Sequence, residues 1–135
     1  MSNKLTSILI VDDNDDLRSV LASFFADCGF RVRTAADGLA ALAEMSFELP
    51  DVLVSDLDMP VMSGFELLSI VRNRFPAVGV IAMSGAYSGP DVPTGVAADA
   101  FYPKSGSCCS PLPQIVKTVI EHHRSHPPSA GSLIL

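Results

Sequence analysis

The 135 residues contain no tryptophan, two tyrosines and three cysteines. Cys108 and Cys109 are adjacent, and neighbouring cysteines rarely bridge because a disulfide needs a larger Cα separation; with Cys28 the count is odd. A disulfide-stapled framework is therefore excluded, and reduced packing thiols in a cytoplasmic protein are expected. Long apolar runs are also missing. Residues 8–11, the longest near the N-terminus, fall far short of the ~20 that span a bilayer. The opening residues 1–6 are too short and too polar to begin a signal peptide. Basic residues are scarce, with 9 Lys and Arg against 15 Asp and Glu and a net charge of −6. Such a chain repels phosphate backbones, so neither nucleic acid nor membrane is an expected partner. What is abundant is apolar: 48% hydrophobic residues, 18% charged and a mean hydropathy of +0.36 exclude disorder.

Two kinds of segment alternate. Residues 8–11, 52–54 and 78–83 are unbroken apolar runs of strand length, as suits strands covered on both faces of a parallel sheet. Residues 31–34 alternate in polarity like an edge strand, and 98–102 form a weaker fifth candidate. Between them lie helical spacings: Leu17, Val20, Leu21, Phe24, Phe25 and Cys28, with Asn14 or Asp13 placed to cap. Leu39, Leu42, Ala43 and Phe47 follow, then Leu67, Leu68, Val71 and Phe75, ended by Pro76. Leu112, Ile115, Val116, Val119 and Ile120 give the clearest stripe. This order predicts an α/β fold, a doubly wound five-stranded parallel sheet with helical crossovers.

One stretch breaks the rhythm. Gly85, Gly89, Pro90, Pro93 and Gly95 fall where a helix is due, predicting a degraded helix or loop, with at most a short helix over 92–98. Residues 1–124 read as one domain and 125–135 as a tail or linker.

In open parallel sheets, ligands bind beyond the carboxyl ends of the strands. The predicted strands deliver Asp12 and Asp13, Asp56, Ser84 and Lys104 to that edge. Clustered carboxylates raise one another's pKa unless a cation joins them. An all-oxygen donor set suits Mg²⁺, or Mn²⁺, rather than zinc. An ammonium beside such a cation makes a pocket for a phosphoryl dianion, and a carboxylate there can itself be the nucleophile of phosphoryl transfer.

Asp12-Asp13, Asp56-Leu57-Asp58-Met59-Pro60 with Gly64, Ser84, and Phe101 with Lys104 resemble the receiver domain of two-component response regulators, over about residues 5–122. The resemblance implies a flavodoxin-like fold with strand order 2-1-3-4-5. It implies that Asp56 accepts a phosphoryl group from a sensor histidine kinase or a histidine phosphotransfer protein. It further implies Mg²⁺ held by Asp13, Asp56 and the backbone carbonyl of Asp58, with Asp12 acting mostly through water. Lys104 and Ser84 would contact the phosphoryl oxygens, and Phe101 stands where the family has an aromatic that turns inward on phosphorylation. The family follows this lysine with proline, whereas Ser105 stands here.

Such a switch catalyses only its own phosphorylation and dephosphorylation. It signals by binding a downstream protein, and phosphorylation-dependent dimerisation is compatible with it. The residues after Lys104 hold one helix and a tail, so a stand-alone receiver is expected, though the linker-like end also suits a piece of a longer regulator. Two other readings bear on the same residues. Asp56-x-Asp58 resembles the aspartate-nucleophile phosphatases of the haloacid dehalogenase type, but in those the acidic pair comes late in the chain. A pseudo-receiver docking module would have lost one of the acids or the lysine. His122, His123 and His126 include an i, i+4 pair, but no third ligand type lies nearby. They are expected near a helix C-terminus, where their protonated forms suit the dipole.

Overall fold

Unbroken Val, Ile and Leu runs place strands where both faces must be covered, and the chain obeys. The computed structural model describes residues 5–60, 62–85, 97–104 and 111–125. Its strands are β1 (Ser7–Val11), β2 (Arg31–Ala35), β3 (Val52–Asp56), β4 (Gly79–Ser84) and β5 (Ala100–Pro103). Its helices are α1 (Asp15–Asp27), α2 (Gly38–Phe47), α3 (Gly64–Arg74) and α4 (Leu112–Ser125). The sheet runs β2-β1-β3-β4-β5, and every neighbouring pair is parallel. This is the doubly wound order expected, with element boundaries shifted by one or two residues. The predicted helix break falls mainly on residues 86–96, which lie outside the described residues, as do Cys108, Cys109, His126 and the tail.

Strand side chains alternate between two cores. Leu9, Val11, Leu53, Val80, Ala82 and Phe101 pack on one face with α2 and α3. Ile8, Ile10, Val54, Ile81, Met83 and Tyr102 pack on the other with α1 and α4. Each fully buried Leu, Ile or Val side chain is worth about 1.5–3 kcal/mol. A slip of one residue in any central strand would therefore exchange the two cores.

Three expectations need correction. Leu39 and Phe47 are 57% and 88% exposed, and α2 turns Gly38, Ala41 and Met45 inward instead. This helix is apolar on several sides, so spacing alone does not select its buried face. Val20 likewise points out of α1, where Leu21 and Phe25 are the buried residues. Cys28 is exposed rather than packed, because it sits at the C-cap of α1 where the chain reverses. There Gly29 takes a positive φ of 94°, and the amides of Gly29 and Phe30 donate to the carbonyls of Ala26 and Phe25. The turn seats the Phe30 ring edge-on to Phe25, centroids 5.5 Å apart, which closes this helix end.

A polar clasp ties α3, β4 and α4 together ahead of β5. Asp99 Oδ1 pairs with Arg72, while Oδ2 meets the amide of Val80 and His123 Nε2 at 2.8 and 2.9 Å. Burial pushes the Asp99 carboxyl up, but the His123, Val80 and Arg72 contacts together outweigh it and hold the pKa below the usual carboxylate value. The histidine pair is thus split: His123 braces the fold, and His122 is exposed.

Helix α3 starts hard against the end of β3. Ser63 caps it, accepting from the amide of Glu66, and Gly64 follows. A Cβ on Gly64 would run into the carbonyl of Asp56 and lie 2.5 Å from Cα of Leu57, both rigid backbone. Gly64→Ala is expected to cost about 2–3 kcal/mol through overpacking, read by urea denaturation. Unchanged stability would show that α3 can shift freely away from β3.

Candidate phosphoryl-transfer site

The carboxyl ends of four strands meet at one edge of the sheet. β1 runs into Asp12 and Asp13, β3 ends in Asp56, β4 in Ser84, and Lys104 follows β5. Their register is fixed by main-chain bonds. The Asp12 amide donates to the Ala35 carbonyl at 3.2 Å, and the Lys104 amide to the Ser84 carbonyl at 2.9 Å. Of the residues marked from sequence, the structure brings Asp12, Asp13, Asp56 and Lys104 together and places Ser84 at the neighbouring strand end, against Asp58.

Burial makes this cluster electrostatically demanding. Asp12 is 0% exposed and Asp56 2%. The Lys104 ammonium bridges them, 3.0 Å from Asp12 Oδ2 and 3.1 Å from Asp56 Oδ2. Among the described residues no hydrogen bond reaches Asp12 Oδ2, and the Lys104 ion pair is what satisfies it. The other oxygens are held locally: Asp12 Oδ1 accepts from the Asn14 amide and Asp56 Oδ1 from the Asp58 amide. Burial, with a smaller push from the Asp12 charge, raises the Asp56 pKa above its usual value despite the Asp58 amide and Lys104. For Lys104, burial lowers the pKa, but Asp12 and Asp56 outweigh it and the net shift is upward. The ammonium therefore stays charged throughout the neutral range. Arg18 of α1 was not singled out from sequence; it donates to the Asp12 carbonyl at 2.7 Å and pairs with Asp15. Its signal was the i, i+3 spacing from Asp15.

Asp13 completes a metal-competent group. One carboxylate oxygen each from Asp12, Asp13 and Asp56 lies within 4.8 Å of the others. Three hard oxygens, one of them on an exposed side chain, fit a small divalent cation that keeps some of its waters. Ser84 is fully buried, and its Oγ donates to Asp58 Oδ2 at 2.7 Å. Phe101 is 5% exposed and packs in the core beneath α2 and α3.

The description of the response regulator receiver domain matches residues 8–102. Regulator of RpoS from Escherichia coli K12 is 38% identical over 85 residues, 63% of this chain and 25% of that protein. The chain matches only about a quarter of that relative's length. Chemotaxis response regulator CheY4 of Vibrio cholerae aligns with a TM-score of 0.78 at 29% identity, covering 86% of this chain and 99% of its own. Response regulator TrrA of Thermotoga maritima, in complex with Mg²⁺–BeF, gives a TM-score of 0.76 at 28% identity, covering 85% and 99%. TrrA in its complex with histidine kinase ThkA gives 0.77 at 28%, covering 85% and 98%.

Removing the bridging ammonium leaves two buried carboxylates without their counter-charge. In metal-free buffer, Lys104→Met is expected to lose about 3 kcal/mol at pH 7. An acid whose folded pKa is raised carries its penalty above that pKa and sheds it as pH falls through it. The gap to wild type should thus shrink as pH drops from neutral toward the raised pKa of Asp56. Urea denaturation across that range reads it, and a pH-independent gap would place the lost stability outside the carboxylates.

Proposed function

The chain belongs to the response regulator receiver domain family, and from that premise we propose that it is a phosphorelay switch whose phosphoacceptor is Asp56. The observation that carries this reading is the bridge from Lys104 to both Asp12 and Asp56, which holds a carboxylate and an ammonium together at the sheet edge. The phosphoryl donor is a phosphohistidine on a sensor kinase or phosphotransfer protein, consistent with the kinase complex of TrrA. A carboxylate oxygen of Asp56 attacks the phosphorus. A P–O bond forms as the P–N bond breaks, and the imidazole nitrogen leaves with the bonding pair and takes a proton from solvent. Water attack on the acyl phosphate later returns the carboxylate and inorganic phosphate, so the chain acts on itself rather than turning over a separate substrate.

The chain's own groups orient this step. The Asp58 amide fixes Asp56 Oδ1, and Lys104 stands ready to pair with the phosphoryl oxygens as their charge grows. Ser84 would supply its hydroxyl to the same oxygens once its bond to Asp58 is released. Asp13 and Asp56, with Asp12 and the backbone carbonyl of Asp58, would hold Mg²⁺, and Mn²⁺ suits the same oxygens. Held there, such a cation would supply charge neutralisation to the transferring group.

Output passes to a protein partner, by way of Ser84 and Phe101. We take residues 1–124 as the switch and 125–135 as a tail. A cytoplasmic placement follows from the phosphorelay reading; among the described residues no helix is long and apolar enough to cross a membrane.

Acetyl phosphate with Mg²⁺ should add one phosphoryl group to the wild type and none to Asp56→Asn, read by intact mass spectrometry at mild pH. A phosphoryl group retained by the Asn variant would overturn the assignment.

The metal is tested separately. Mg²⁺ at roughly ten times its Kd should stabilise the wild type by about 1.4 kcal/mol. Asp13→Ala, an exposed position, should fold normally and lose that gain. Equal Mg²⁺ stabilisation of both proteins would remove Asp13 from the site.

A further inference from the structure

Asp58 touches the site twice. Its amide donates to Asp56 Oδ1 at 3.2 Å, and its carboxylate accepts from Ser84 Oγ at 2.7 Å. In the second bond the hydroxyl is the donor and the carboxylate oxygen the acceptor. Ser84 is fully buried and fixed at the end of β4, whereas Asp58 is exposed in the turn between β3 and α3. We propose that the Asp58 side chain is a resting-state latch on Ser84. It holds the hydroxyl proton away from Asp56 and so stabilises the unphosphorylated form.

The argument is a competition for one proton. A serine hydroxyl has a single hydrogen, and here it is committed to an anion in a short, charge-assisted bond of the stronger kind. An anion newly attached to Asp56 can recruit Ser84 only by taking that hydrogen from Asp58. Any interaction present in one state and absent from the other shifts the equilibrium between them by its own free energy. The latch therefore weakens the response to phosphorylation.

The same geometry supplies its release. Charge added to Asp56 repels the Asp58 carboxylate two residues along. Because Asp58 is exposed, its side chain can swing into water without a burial penalty. Ser84 cannot retreat, because it is enclosed at the end of β4. The exposed partner leaves, the buried partner stays, and the freed hydroxyl faces the new anion. Asp58 is in this account a positioning residue, acting on the phosphoryl group through Ser84.

The inference rests on Asp56 being the phosphoacceptor, and the test separates the two claims. Beryllofluoride with Mg²⁺ is titrated calorimetrically into wild type, Asp58→Asn, Asp58→Ala, Ser84→Ala and the double variant Asp58→Ala with Ser84→Ala. Asp58→Ala removes both charge and acceptor, and should tighten binding about tenfold in the wild-type background. Asp58→Asn keeps an acceptor oxygen and should give a smaller gain. With Ser84 already replaced by Ala there is no hydroxyl to latch, so adding Asp58→Ala should change affinity by less than about threefold. An equal fold-change in the two backgrounds would overturn the latch and leave only charge repulsion. No binding by the wild type would overturn the phosphoacceptor reading, and the latch with it. A second cycle reads the resting contact alone. In metal-free urea denaturation, the losses from Ser84→Ala and Asp58→Ala should be non-additive, and strict additivity would overturn the latch whatever the anion does.

Discussion

One ammonium between two buried carboxylates is the constraint on which this molecule turns. Asp12 follows β1 and Asp56 ends β3, neighbouring strands of the sheet, and neither side chain reaches bulk water to any useful extent. Left without a counter-charge, a buried carboxylate costs several kcal/mol. Lys104 prevents that, but only because β5 lies two strands from β3 and in register with β4, its amide bound to the Ser84 carbonyl. The position of the cation is thus set by sheet pairing and not by the side chain's own preference. A lysine stem is long and loses considerable rotamer entropy when held. The two carboxylates and the strand beneath them provide what offsets that loss.

That demand reaches back through the fold. Strand ends can be placed to within a hydrogen bond's tolerance only if the strands cannot slip. The period-two alternation of Leu9 and Val11 against Ile8 and Ile10 forbids slippage, since moving one residue would exchange two close-packed cores. Gly64 works at the same site from the other side. With no Cβ, it lets α3 begin directly against the backbone of Asp56 and Leu57, which packs the Asp56 peptide under the start of the helix. Farther away, Asp99 joins Arg72, Val80 and His123, so the start of β5 is braced at the end of the sheet opposite Lys104.

How much of this was readable before any coordinates follows from the range of each interaction. The strands and the converging Asp12, Asp13, Asp56, Ser84 and Lys104 were legible, because apolar runs, polar alternation and the rule that ligands meet strand carboxyl ends are local or combinatorial properties of the chain; the strand order came only with the resemblance to receiver domains. The buried face of α2 was not. Leu39 and Phe47 are as apolar as the residues that pack, and only contact with α3 and the sheet chooses Ala41 and Met45. The Asp99 clasp was missed for a related reason: its partners are 27, 19 and 24 residues away and share no periodicity. The bond from Ser84 to Asp58 spans 26 residues, so sequence marked both residues without showing that they meet.

Counting charge explains why chemistry and signal share these residues. Asp12, Asp13, Asp56 and Asp58 crowd the site, and Lys104 is the ammonium that bridges two of them. The resting site is therefore short of positive charge, which makes it receptive to a divalent cation and inhospitable to a dianion without one. A phosphoryl group on Asp56 replaces one negative charge with about two. The deeply buried Asp12 has nowhere to go and keeps its hold on Lys104. Only the exposed carboxylates can yield, and of these Asp58 is the one bonded to a buried hydroxyl. Movement of the least confined charge therefore uncovers a donor on the most confined strand end, converting a local change in charge into a change in the hydrogen bonding of β4.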